Sequence, residues 1–238
     1  MKRQEINRIY KEKRGVDMSE ITNGIIPDYI IDYIRERLPD SREGLKTLES
    51  YAEDNGVPII HPEVAQFLKI YIKTTGVKRI LEVGTAIGYS ALVFADAIEG
   101  VGHIDSIEIR QASADKAVKN IEAFNQSDVR IDVHVGDALD VLPTLSGPYD
   151  LIFLDAGKSH YDKYFEYADQ FISKNGIIIS DNVLYKGMTA TNDLVIKRKK
   201  TIVKNMRNYL DDLVERKDYE SVIMPLGDGV AISTKLGE

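Results

Sequence analysis

From Lys78 onward, short apolar runs alternate with stretches whose apolar residues recur at helical spacing. The runs predict strands at 79–83, 103–108, 130–135, 149–154 and 176–181, and the amphipathic stretches predict helices at 89–98, 111–125, 137–145 and 160–173. Near-continuous apolar strands separated by helices imply a parallel sheet covered on both faces. A long helix is expected at about 193–216. Two further strands, Tyr219–Leu226 and Val230–Thr234, flank Gly227-Asp228-Gly229, a hairpin signal that makes the last strand antiparallel. Ahead of this core the spacing predicts three helices. The first carries Ile30, Ile31, Ile34 and Leu38, and the second, capped by Ser41, runs to Asn55 and Gly56. The third opens at Pro62, buries Val64, Phe67, Leu68, Tyr71 and Ile72, and ends at Gly76. Residues 1–26 read as an arm. With no repeat and no low-complexity linker, the 238 residues form one α/β domain, residues 1–76 being arm and helices and 77–238 the core.

Composition narrows the chemistry. The absence of cysteine excludes disulfides, zinc–thiolate sites and thiol catalysis. No apolar run is long enough to span a bilayer, and the first residues lack a signal peptide's apolar core, so a cytoplasmic protein without membrane contact is expected. The net charge of −7 speaks against nucleic acid, but the charge is uneven. Residues 1–14 carry net +4 and residues 197–207 net +6, with no acid in the latter. Such patches can engage a polyanion locally, or be solvated faces.

The stretch Ile80–Ala91, ILEVGTAIGYSA, reads as strand, glycine turn and helix start. Gly84 and Gly88 let backbone approach a ligand, and the helix N-terminus directs free N–H groups at it. Acids follow successive strands: Glu108, Asp137 and Asp155. Glu108 stands twenty residues after Gly88, the offset at which an acid accepts ribose hydroxyls. The third glycine of a pyrophosphate-binding turn and a P-loop lysine are both missing, which suits an adenosyl ligand without phosphates.

The run Glu82–Ser90, EVGTAIGYS, resembles motif I of the class I S-adenosylmethionine methyltransferases. With Phe153–Tyr161, FLDAGKSHY, and Ile179–Gly187, ISDNVLYKG, the chain resembles the divalent-metal-dependent O-methyltransferases of the catechol and caffeoyl-CoA type. The resemblance implies a Rossmann-like, seven-stranded, mostly parallel sheet with an antiparallel last strand, helices on both faces and extra N-terminal helices. It places Ile60, Glu82, Gly84 and Ser90 near the donor's methionine part. Glu108 would be at its ribose, Asp137 and Ala138 at its adenine, and Asp155 in reach of both donor and metal. It also implies a homodimer. The family often has glycine where Ala86 stands, and plant-type members have aspartate at Gly157.

Asp155 and the pair Asp181-Asn182 end neighbouring strands, so three oxygen ligands can converge there; two carboxylates and an amide suit a hard cation such as Mg²⁺. The bland alternative is that Asp181-Asn182 only turns the chain. Lys158 matches the family's lysine beside the acceptor oxygen, as proton acceptor or fixed charge. His160 is left out of the catalytic set. Chelation requires neighbouring oxygens on the acceptor, as in catechols, caffeoyl esters and 5-hydroxyuridine. The chain also resembles the bacterial branch that methylates 5-hydroxyuridine in tRNA. With basic patches 1–14 and 197–207 and a flap at 183–192 carrying Tyr185, Lys186 and Met188, tRNA is the expected acceptor and a small catechol the alternative. A non-catalytic adenosyl-binding module or a dinucleotide oxidoreductase would have no use for Asp155, Lys158, Asp181 and Asn182 together.

Overall fold

The computed structural model of the chain describes residues 25–237. The basic arm at 1–14 lies outside the described residues. Seven strands form one sheet in the order β3-β2-β1-β4-β5-β7-β6. They are β1 (Arg79–Val83), β2 (Gly102–Glu108), β3 (Val129–Val135), β4 (Tyr149–Leu154), β5 (Ile172–Ser180), β6 (Tyr219–Met224) and β7 (Val230–Lys235). β1 to β5 run parallel, and β7 lies antiparallel to both β5 and β6.

Strand residues alternate between two cores. Ile80, Ile104, Phe153 and Ile179 pack under α2 (Glu43–Asn55), α3 (Pro62–Thr75) and α4 (Tyr89–Ala97). Leu81, Ile107, Ile152 and Leu154 pack on the opposite face, with Tyr161 and Phe165 of α7 (Tyr161–Phe171) and Met206 and Tyr209 of α8 (Lys200–Glu215). α5 (Gln111–Phe124) links β2 to β3, and the single turn α6 (Ala138–Val141) follows β3. The first helix, α1 (Asp28–Arg35), buries no residue and leaves Tyr29 and Tyr33 exposed. Among the described residues no helix is long and apolar enough to cross a membrane.

Three expected boundaries shift. Ser41 does not cap α2, whose N-cap is Arg42 with no side-chain bond; the Ser41 hydroxyl donates to Glu49 Oε1 at 2.6 Å instead. β5 begins at Ile172 because Ile172 pairs with Tyr149 across a bulge, which absorbs the left-handed Asn175 that reads as a turn. The long helix starts at Lys200, after 3₁₀ turns at Asn192–Leu194 and Lys197–Lys199.

One polar network interrupts the apolar face of β2 and β3. Tyr149 donates to Asp105 Oδ2 at 2.9 Å, His134 Nε2 lies 2.8 Å from Asp105 Oδ1, and His103 Nε2 lies 2.9 Å from Asp132 Oδ2. The ligand-type atoms of His103, Asp105 and Asp132 stand within 4.8 Å of one another, but Arg130 pairs with Asp132 at 2.8 Å and Arg79 stands 3.9 Å from Asp105. The two guanidinium groups already balance the carboxylates, so this is an internally neutralised network. Burial opposes ionisation of Asp105, but hydrogen bonds from His134 and Tyr149 outweigh it and hold the carboxyl below its ordinary 3.8. The same bond raises His134 above 6.5. A raised histidine stabilises fully below 6.5 and loses that contribution as pH rises through its folded value; a lowered carboxylate stabilises above 3.8 and loses it on acidification. Asp105→Asn should therefore cost most between these limits, about 2 kcal/mol or 4–8 °C in melting temperature near pH 5.5. The gap to the parent should narrow above pH 7; a gap of equal size at pH 5.5 and 8.5 would refute the linkage.

Candidate functional site

Strand order reverses between β1 and β4, and ligands bind open α/β sheets at the carboxyl ends of strands flanking such a reversal. A cavity of about 670 Å³ lies there, lined by Gly84, Glu108, Asp137, Ala138, Asp155 and Lys158 among others. Gly84 has φ +114°, and a Cβ on it would come within 2.9 Å of the Asp155 carbonyl oxygen. Only glycine lets the two strand ends close on each other there.

Two residues on, Ala86 also adopts a left-handed conformation, at φ +47°, where the family's turn often has glycine. For alanine this costs about 1 kcal/mol. Glu108 compensates: its Oε2 accepts the Ala86 N–H at 2.9 Å, while Oε1 accepts the Arg110 N–H at 3.0 Å. Asp137 caps α6, accepting the Leu139 N–H at 2.9 Å, so it and Ala138 face the cavity from the third strand's end. Ile60, Glu82 and Ser90 are buried and are not among the lining residues. Burial pushes the Glu82 carboxyl up to about 7, against hydrogen bonds from Ser106 and Ser90, and its Oε1 has no partner.

Leu154 and Ser180 are paired residues of β4 and β5, so Asp155 and Asp181 each stand one residue past the last rung. The ladder continues through them: Asp155 N–H donates to the Val83 carbonyl and Asp181 N–H to the Leu154 carbonyl, both at 2.9 Å. Tyr161, fully buried, donates to the Leu154 and Asp181 carbonyls at 3.1 and 3.0 Å, tying the two ends together. Asn182 follows with φ +55°, a conformation asparagine tolerates, and its N–H donates to Asp181 Oδ1 at 2.7 Å. Lys158 Nζ donates to Asn182 Oδ1 at 2.7 Å and lies 3.6 Å from Asp155 Oδ1. Asp155, Lys158, Asp181 and Asn182 are thus brought together, as the spacing predicts.

The electrostatics leave one carboxylate oxygen without a partner. Asp181 is 0% exposed, and its Oδ2 is buried without a hydrogen-bond partner. Burial and then the neighbouring Asp155 carboxylate push Asp181 upward, and burial raises Asp155 against the pull of Lys158. An orphaned carboxylate oxygen beside a second carboxylate and an amide oxygen is a donor set that fits a hard divalent cation. The turn alternative does not account for the orphaned oxygen.

Around this point the cavity wall differs from the expected one. Tyr185 and Lys186 line it, whereas Met188 is buried beneath the flap. Arg207 fixes the flap from α8, donating to the Met188 and Thr189 carbonyls at 2.9 and 2.8 Å and to Asn192 Oδ1 at 2.7 Å. It is therefore spent on backbone, which leaves the basic segment one fewer cation for a partner than its charge suggests. Lys199 does lie near the mouth, with Nζ 5.5 Å from the Tyr185 ring centre. Gly157, at φ +56°, faces the Tyr164 hydroxyl, so the aspartate of plant-type members would collide there. His160 is the N-cap of α7 and lies outside the lining.

Three residues in or beside the cavity escape the sequence reading. Asp228, at the hairpin tip, lines the cavity and accepts the Lys186 N–H at 2.6 Å; its signal is an acid in a hairpin that returns to the same sheet end. Tyr161 closes the run FLDAGKSHY, which by itself gives it no role. His61 lines the cavity opposite the flap and shows no sequence signal apart from preceding Pro62.

A model of the O-methyltransferase family matches residues 40–236. A catechol O-methyltransferase of Niastella koreensis is 31% identical over 171 residues, 69% of this chain and 77% of that one. Caffeoyl-CoA O-methyltransferase 1 of Zea mays is 30% identical over 222 residues, 87% of this chain and 83% of that one. The crystal structure of an O-methyltransferase from Bacillus cereus in complex with SAH matches with a TM-score of 0.76 at 25% identity, covering 87% of this chain and 97% of that one. The chain belongs to the S-adenosylmethionine-dependent O-methyltransferases of the catechol and caffeoyl-CoA type.

Proposed function

We propose that this S-adenosylmethionine-dependent O-methyltransferase methylates one of two neighbouring oxygens on a small catechol-type acceptor, with Asp155, Asp181 and Asn182 holding a hard divalent cation such as Mg²⁺. The observation that carries this reading is the orphaned Asp181 Oδ2, buried beside Asp155 and Asn182 at the open end of β4 and β5. The similarity to the Niastella koreensis catechol O-methyltransferase supports the acceptor class.

Glu108 would take the donor's ribose hydroxyls, and Asp137 with Ala138 would flank its adenine. Glu82 and Ser90 would shape the methionine end from behind the Gly84 turn, as would Ile60. A divalent cation would supply charge that favours loss of the acceptor's proton to solvent before the site closes, and that fixes both oxygens in place. Lys158 would hold the ionised oxygen while it displaces the methyl group in line from the sulfonium, releasing S-adenosylhomocysteine. Tyr185 and Lys186, anchored through Asp228, would cover the acceptor and exclude water.

The basic segment supports a second acceptor, 5-hydroxyuridine in tRNA. Lys197, Arg198, Lys199, Lys200 and Lys204 remain for phosphates once Arg207 is assigned to the flap, and Lys199 stands at the mouth. One mass-spectrometric assay decides between them, offering catechol, phenol and 5-hydroxyuridine-bearing tRNA with S-adenosylmethionine and Mg²⁺. Catechol should be methylated, phenol should not, and excess chelator should stop the reaction. Equal transfer to phenol, or transfer indifferent to chelator, would overturn the chelation reading. A kcat/KM for tRNA about 100-fold above that for catechol, steeply salt-dependent, would make tRNA the acceptor.

A further inference from the structure

We propose that His61 is a specificity-determining residue of the acceptor site, presenting an Nε2–H donor to an oxygen of the acceptor beyond the reacting pair, and that Arg35 of α1 locks it in that tautomer. The inference rests on the catechol-type reading above for its substrate, but its structural half stands on hydrogen-bond chemistry alone.

His61 lines the cavity together with Asp155, Lys158, Asn182 and Asp228. It is the N-cap of α3, held extended before Pro62, and its side chain makes no cap bond to that helix. Arg35 Nη2 lies 2.8 Å from His61 Nδ1. A guanidinium has five donors and no acceptor, so Nδ1 must be the unprotonated nitrogen, and a neutral ring then carries its proton on Nε2. Glu63 keeps Arg35 in place: it accepts from Nε at 2.9 Å and from Nη2 at 3.2 Å, a two-pronged pair on a carboxylate only 7% exposed. Glu63 itself stands 3.8 Å from His61 Nδ1, outside hydrogen-bond range, so it does not compete for that nitrogen. The ring's other edge lies by the hairpin: Cδ2 is 3.2 Å from where a Cβ on Gly227 would sit, and Gly227, at φ +57°, leaves that room.

The consequence is an uncharged donor on a wall that also carries Asp155, Asp228, Lys158 and Lys186. Such a donor favours an acceptor bearing a further oxygen, a ring carboxylate or carbonyl, over plain catechol. Losing one hydrogen bond of this kind costs about tenfold in affinity.

The test pairs kinetics with spectroscopy. For 3,4-dihydroxybenzoate, His61→Leu should raise KM about tenfold with kcat within about twofold, while KM for plain catechol and the dissociation constant for S-adenosylmethionine stay within about twofold. His61→Gln, which offers an N–H near the Nε2 position, should recover most of the loss. Equal KM changes for both catechols, or none, would overturn the specificity role, as would failure of Gln to rescue. Long-range ¹H–¹⁵N correlation of the His61 ring in the unliganded protein should show Nε2 protonated and Nδ1 bare, with that preference lost in Arg35→Met. A protonated Nδ1 in the parent overturns the lock whether or not either catechol is turned over. A parent enzyme that methylates neither compound sinks the acceptor reading and the substrate role of His61 with it, and the spectrum still decides the lock.

Discussion

Asp181→Ala should lower kcat for methyl transfer by at least about 1000-fold while the dissociation constant for S-adenosylmethionine stays within about twofold. The size follows from the several kcal/mol that a Lewis-acid site contributes to such a reaction, at 1.36 kcal/mol per factor of ten. The selectivity follows from position. Asp181 is absent from the cavity wall and lies at the β4–β5 side, whereas the donor's expected contacts, Glu108, Asp137 and Ala138, follow β2 and β3. A second readout does not depend on turnover. A carboxylate oxygen buried without a partner destabilises the fold, and removing it relieves repulsion with Asp155. Added Mg²⁺ should therefore raise the melting temperature of the parent only. Full turnover by Asp181→Ala, or by the parent in excess chelator, would refute the role given to this residue.

What could be read in the sequence depended on how local the signal was. Gly84, Glu108, Asp137 and Asp155 stand directly after apolar runs, and in a parallel sheet everything directly after a strand falls at one edge, so their meeting was legible without coordinates. Tertiary partners were not. Ser41 looks like a helix cap because serine caps many helices, yet its hydroxyl is claimed by Glu49, which Tyr89 also reaches at 2.6 Å. The run from Lys197 to Arg207 looks like the middle of a helix, but the chain must first return along the flap, and Thr191 caps a separate 3₁₀ turn by accepting the Asp193 N–H. Arg207 adds to the segment's formal charge, but its guanidinium is taken up by three bonds to the flap that charge counting does not report. His61 acquires its role only through Arg35, 26 residues away on another helix, and no spacing rule reports such a pairing.

Lys158→Met should reduce kcat about 100-fold, equivalent to about 2.7 kcal/mol of transition-state stabilisation, again with donor affinity unchanged. Lys158 Nζ donates to Asn182 Oδ1 at 2.7 Å and stands 3.6 Å from Asp155 Oδ1, an ion pair beyond hydrogen-bond range. A cation placed between these two oxygens would act as a fixed charge, attracting the acceptor oxygen as negative charge develops on it. Arginine separates this from proton abstraction, because its guanidinium keeps the charge but does not give up a proton. Lys158→Arg should therefore stay within about tenfold of the parent, allowing for the bulkier head in a site where the lysine is only 22% exposed. If Lys158→Arg proves as inactive as Lys158→Met while both variants bind S-adenosylmethionine normally, the lysine is the proton acceptor.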